Sequence, residues 1–96
     1  MKKYLPHPID TKDVEVSEEL KILGEILARN THECWAKEKI SQGYIYGEKY
    51  DEKKKTHPCI IDYDSLSEEM KEHDRITSME TLKLIVKLGW KIEKNK

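Results

Sequence analysis

Through "VSEELKILGEILARNTHECWAKEKISQG", Leu20, Leu23, Ile26, Leu27, Thr31, Cys34 and Trp35 recur at spacings of three and four. That interval places side chains on one face of an α-helix. Lys21, Glu25, Arg29 and Glu33 occupy another face. Ser17 stands as the N-cap, with Glu18 and Glu19 in the first turn, where carboxylates meet the positive end of the helix dipole. Ile40 extends the apolar stripe, and Gly43 stops it, since glycine readily takes the left-handed conformation found just past helix ends. The pattern predicts one long helix between Ser17 and Gly43.

The helical period is lost in "GYIYGEKYDEKKKTHPCIIDYDSL". This segment predicts a loop holding one or two short strands, with "CII" as its buried piece. A second helical region opens at "SLSEEM", where Ser65 and Glu68 match a capping box and Ser67 is an alternative cap. Ile76, Met79, Leu82, Ile85, Val86 and Gly89 restore the helical spacing. Gly89 is the expected C-terminal stop, with Trp90 folding back on the last turn, and "WKIEK" is a candidate closing strand. At the other end, Pro6 and Pro8 restrict "YLPHPID" to extended backbone, an arm laid across the domain. The expected fold is mainly α: two principal helices with short β-strands and extended arms, in a single domain over residues 1–96.

Composition adds one constraint. Charged residues make up 39% of the chain and hydrophobic residues 36%, against a charged share of about 25% in ordinary soluble domains, so the core must be thin. A chain of this size buries only about 60 to 70% of its unfolded surface. Association into a homodimer is the expected way to cover more. The formal net charge is −1 with both signs interspersed, which gives no uniform field for a nucleic-acid backbone or an anionic membrane surface. No apolar run approaches the roughly 20 residues that span a bilayer, and two prolines stand where a signal peptide carries its apolar stretch. The expectation is a cytoplasmic protein with no nucleic-acid or membrane partner, whose two cysteines are free thiols.

Candidate chemistry gathers in "HEC" and "HPC". His32, Cys34, His57 and Cys59 are a sufficient ligand set for structural zinc by residue type. Residues two apart on a helix project about 200° apart, however, so His32 and Cys34 cannot both face one ion, and the expectation is a core Cys34 beside a partly exposed His32. A Cys–His nucleophile is the next candidate, yet Cys59 follows Pro58 into an apolar run where a thiol stays protonated and inert. With neither a phosphate-binding glycine loop nor a serine nucleophile elbow present, no catalysis, metal or cofactor is expected. The aromatic residues invite more attention. Trp35, Tyr44, Tyr46, Tyr50 and Tyr63 lie in or around the interhelical segment, either as packing between helices or as a platform for a planar ligand. Lys53, Lys54, Lys55 and Arg75 are at hand for phosphates.

Taken together, "YLPHPID", "LARNTHECWAKEKISQGYIYG", "HPCIIDYDSLSEEMKEHDR" and "ETLKLIVKLGW" resemble, in this order, the RyR repeat domain named after the ryanodine receptor. N-x-H-x-x-W-A from Asn30 to Ala36 and G-x-x-Y-G from Gly43 to Gly47 carry the resemblance. It is to a stand-alone member of bacterial or phage type. Where the family often has tryptophan this chain has Tyr44, and where it commonly has tyrosine this chain has Trp90. The resemblance implies a two-helix fold without catalysis, and an adenine-nucleotide-like ligand near Trp35. Under that implication Trp35 would stack a purine, and His32, Asn30, Tyr46, Lys54 and His57 are the further candidates for ligand contact. The alternative is a protein-interaction or scaffold domain with no small-molecule ligand, in which the aromatics are simply core.

Overall fold

A computed structural model describes residues 3–95. It is mainly helical. In chain order it comprises α1 (Glu18–Ser41), β1 (Ile45–Tyr46), β2 (Thr56–His57), a 3-10 turn (Tyr63–Ser65) and α2 (Glu68–Lys87). Ser17 caps α1 as its sequence predicts, its side chain accepting the Leu20 N–H at 3.2 Å. At the other end Gly43 takes a φ of 95°, a left-handed value that a Cβ disfavours. Lys55 reaches back to donate its Nζ to the Gln42 carbonyl at 2.8 Å, beside this helix end. The cap of α2 is Ser67, whose oxygen accepts the Met70 N–H at 3.2 Å. Ser65 belongs instead to the 3-10 turn and donates to Asp62 at 2.8 Å. Beyond α2, Gly89 has φ 98°, and the Trp90 N–H closes on the Ile85 carbonyl at 3.1 Å. The Trp90 backbone therefore folds back on the last turn while its ring stays 70% exposed.

Between the helices, β1 and β2 pair in parallel, Ile45 opposite Thr56 and Tyr46 opposite His57. Gly47 sits at the close approach, since a Cβ there would fall 2.5 Å from the Thr56 Cβ. "CII" is not a strand but follows β2 as a turn and bend, with Cys59 buried. "WKIEK" likewise forms no strand within the described residues.

The two helices meet where Gly24 of α1 faces Met79 and Leu82 of α2. Gly24, Ala28 and His32, spaced by four, are the buried positions of α1, and Ser78 and Leu82 those of α2. Four-residue spacing follows one helix face, and the absence of long side chains there lets the backbones approach. The core proper is small: Ala28, Cys59, Tyr63 and Leu66, flanked by Trp35 and Ile61. This arrangement corrects the sequence expectation at one pair. Cys34 is exposed and His32 is buried, because the buried face of α1 runs through Ala28, four residues before His32, and Cys34 projects away from it. Ile22 and Ile26 also remain mostly exposed, on the side of α1 turned from α2.

Ion pairs tie the periphery. Arg75 on α2 bonds Glu25 on α1 at 2.8 Å, and Arg29 bonds Asp64 at 2.7 Å. Their partners hold both guanidinium pKa values above the ordinary range, with the hydrogen bond to the carboxylate as the leading cause in each case. The N-terminal arm lies across α2, fixed by Thr11 to Glu80 at 2.6 Å and Asp13 to Lys87 at 2.8 Å.

Candidate functional site

His32 and Trp35 are one turn apart on α1, and their rings stack at 5.7 Å with 25° between planes. His32 is fixed by Nε2, which donates to the Ile61 carbonyl at 2.7 Å. A buried imidazole so bonded holds one ring orientation, and with it the stacking surface of Trp35. β2 then brings His57 edge-on to Trp35 at 4.8 Å. His57 is fixed in turn by the Cys59 N–H, which donates to its Nδ1 at 3.0 Å. This bond requires an unprotonated Nδ1. Burial is the first cause that lowers the His57 pKa from its ordinary value, and the Lys39 charge is the second.

The rings continue in both directions. His32 leads to Tyr63 at 6.2 Å, under the Arg29 guanidinium, and His57 leads to Tyr50 at 5.3 Å. Tyr50 stacks parallel to Tyr44, which carries the Lys39 ammonium 4.8 Å above its ring. Six rings thus form one ladder from the 3-10 turn to the interhelical loop, with a cation at each end. Such edge and offset contacts stabilise by about 0.5 to 1.5 kcal/mol per pair beyond the area they bury.

Alongside the middle of this ladder runs an open groove of about 580 Å³. Its α1 wall is Thr31, His32 and Trp35, its floor His57, Cys59 and Leu66, and its opposite wall Ser67, Glu69, Met70, His73 and Asp74 from the start of α2. The groove therefore offers an aromatic face, three imidazoles and two carboxylates, with no Lys or Arg in its lining among the described residues. Cys59 places its thiol 3.0 Å from the Met70 sulfur. Burial, with a further contribution from Asp74, pushes this thiol's pKa up, so it stays protonated and a poor nucleophile. Among the described residues no group of three or more His, Cys, Asp or Glu side chains is placed to hold a metal ion.

Of the six sequence candidates, Trp35, His32 and His57 meet in this groove. Asn30 is exposed and turns its amide to Cys34 at 3.7 Å. Tyr46 is exposed on β1, and Lys54 is exposed in the turn before β2; none of these three lines the groove. Arg75, considered for phosphate, is engaged by Glu25, Glu68 and Glu72. The α2 contributors Met70, His73 and Asp74 were not singled out from the sequence. Their only signal there is position, since a helix whose first turns pack beside a tryptophan supplies the facing wall.

The chain belongs to the RyR domain family, whose model matches residues 4–94. The match spans the arm, both helices and everything that lines the groove. No helix among the described residues is long and apolar enough to cross a membrane.

Proposed function

We propose that this RyR domain is a non-catalytic recognition module, and that its Trp35 groove takes a flat, nitrogen-rich ligand of the nucleobase or nucleoside class. The observation that carries this is the wall composition: a half-buried indole held by two fixed imidazoles, facing two carboxylates, in a groove of about 580 Å³. Stacking of a base on an aromatic ring contributes about 1 to 3 kcal/mol and requires polar partners to fix orientation. Asp74 and Glu69 accept hydrogen bonds from exocyclic amines or ribose hydroxyls, and His73 and Ser67 add donors and acceptors. A phosphate finds no Lys or Arg in the lining among the described residues and meets two carboxylates, so the recognised part is the base and sugar.

Calorimetric titration with adenine, adenosine, AMP and ATP tests this order directly. Adenosine should bind at least as well as AMP and more tightly than ATP, and Trp35→Ala should weaken adenosine binding about tenfold or more. Tightest binding by ATP, or Trp35→Ala protein that is folded and binds adenosine unchanged, would overturn the assignment.

A second role is favoured by a separate observation. Ile22 and Ile26, 61% and 57% exposed on the side of α1 turned from α2, mark a face suited to a second copy of the chain. Homodimerisation is compatible with ligand binding, since that face and the Trp35 groove do not share residues.

A further inference from the structure

The first turns of α2 form one wall of the groove, and the N-terminal arm contacts later turns of the same helix. Asp13 meets Lys87 near the C-terminal end of α2, and Thr11 meets Glu80 two turns earlier. His7, Pro8 and Ile9 line, together with Ile76 and Thr77, a gap of about 860 Å³ between arm and helix. Traced from Asp13 back to Thr11, the arm therefore runs along α2 toward its N-terminal end. His73 lies one helical turn before Thr77, and Met70 a further turn before the adjoining Asp74; these residues are the outer wall of the groove.

Tyr4 and Leu5 are next on the arm, and they are 85% and 66% exposed. From Thr11, seven residues of extended chain reach about 22 Å at roughly 3.1 Å each. Along α2, the ten residues from Glu80 to Met70 rise only about 15 Å. The arm is long enough to cross the mouth of the groove. Pro6 and Pro8 keep it straight, so little conformational freedom is lost on docking.

We propose that the arm is the missing wall of the ligand site: Tyr4 closes over a bound base on the face opposite Trp35, and Leu5 seats against Met70. Met70 is 45% exposed at the rim, an apolar surface for Leu5 to cover. A base held between two rings gains a second stacking contact, and an open groove becomes a closed one. This inference rests on the Trp35 groove being the ligand site, and it adds one contact residue, Tyr4, and one anchor of the arm, Leu5, from outside the groove lining.

The test uses the full chain as wild type, Tyr4→Ala and Leu5→Ala, each titrated calorimetrically with adenosine, together with NMR of the adenosine-saturated wild type. Because both side chains are exposed, neither substitution removes core packing. Closure predicts a Kd raised about five- to tenfold in Tyr4→Ala, a smaller rise in Leu5→Ala, and ring-to-ring proton contacts between Tyr4 and adenosine in the saturated sample. Wild type and Tyr4→Ala binding alike, with no such proton contacts, would overturn the arm's role while leaving the groove as the site. No saturable binding by the wild type would overturn both.

Discussion

His32 and Cys34 stand two residues apart on α1 and end in opposite environments. Counting leucines and isoleucines along the helix favours Cys34 as core, since it falls in their stripe. What decides the matter is what covers that face: α2 meets Gly24 through Met79 and Leu82, while Ala28 clusters with Cys59, Tyr63 and Leu66 and His32 meets Ile61 and Tyr63, all from the segment between the helices. A small-residue stripe is visible in a sequence, but which stripe faces a partner depends on tertiary contact that local periodicity does not contain. Trp35, His32 and His57 were legible as a group because they carry the chain's versatile side chains in short motifs. Asn30 and Lys54 were not separable from them, because neighbourhood in sequence does not fix the side of the helix or the direction of a turn. His57 also supports a pH prediction. Its Nδ1 accepts the Cys59 N–H and its pKa lies below the ordinary 6.5. The unfolded chain therefore takes up a proton here before the folded one does. The stability that neutral His57 contributes is complete above 6.5 and declines as pH falls through that value toward the lowered folded pKa. Asp64 and Glu68 do not compete in this window. Their cationic partners lower their pKa values from 3.8 and 4.5, so their contributions are lost only in stronger acid. Urea unfolding at pH 8, 7, 6 and 5.5 should show the wild type losing stability below pH 6.5 and His57→Gln showing a flatter profile; equal slopes in the two proteins would contradict the assignment.

At the scale of elements, both helices and their stops were readable because capping chemistry is local. Ser17, Gly43 and Gly89 each act where their neighbours place them. The cap of α2 moved from Ser65 to Ser67 because the 3-10 turn takes Tyr63–Ser65, and Tyr63 must turn inward to join the core. The two strands escaped exact placement for a different reason. They are two residues long and pair in parallel across a nine-residue excursion, so no alternation of apolar and polar positions has room to appear. Their register depends instead on Gly47, whose missing side chain admits the Thr56 Cβ. Gly47→Ala should force the strands apart at this point and destabilise the domain by about 1 to 3 kcal/mol. The displacement should also loosen His57, the partner of Tyr46 in the pair. Chemical denaturation measures the first effect, and amide exchange at Ile45 and Gly47 measures the second. Wild-type stability in Gly47→Ala would show that the close approach does not constrain the loop.

At the scale of the molecule, the chain is flat and expanded. Its radius of gyration is 16.6 Å and its extents are 48 × 45 × 23 Å, whereas a compact chain of this length has a radius near 12.5 Å. Its accessible surface is 8282 Å², against about 5,800 Å² for a compact monomer of 11.4 kDa. The excess of about 2,500 Å² exceeds the roughly 800 Å² that each partner buries in a standard interface. Among the described residues no large side chain is fully buried, and Tyr4, Leu5, Ile22, Ile26 and Trp90 are all more than half exposed. Composition alone pointed to a thin core; the arrangement adds where the uncovered surface lies. Light scattering at tens of micromolar should report twice the mass of one chain, and Ile22→Glu with Ile26→Glu should return it to a single chain. A wild-type protein that remains monomeric there would exclude the homodimer. The groove beside Trp35 makes the more specific claim, and one measurement addresses it most directly. In Trp90→Phe protein the indole of Trp35 is the sole tryptophan signal, and the replaced ring is an exposed one. Titration of that protein with adenosine should give a saturable change in fluorescence, absent when His57 is also replaced by Ala. An emission that stays constant through about 1 mM adenosine, where affinity would be weaker than about −4.1 kcal/mol, would contradict ligand recognition at this groove.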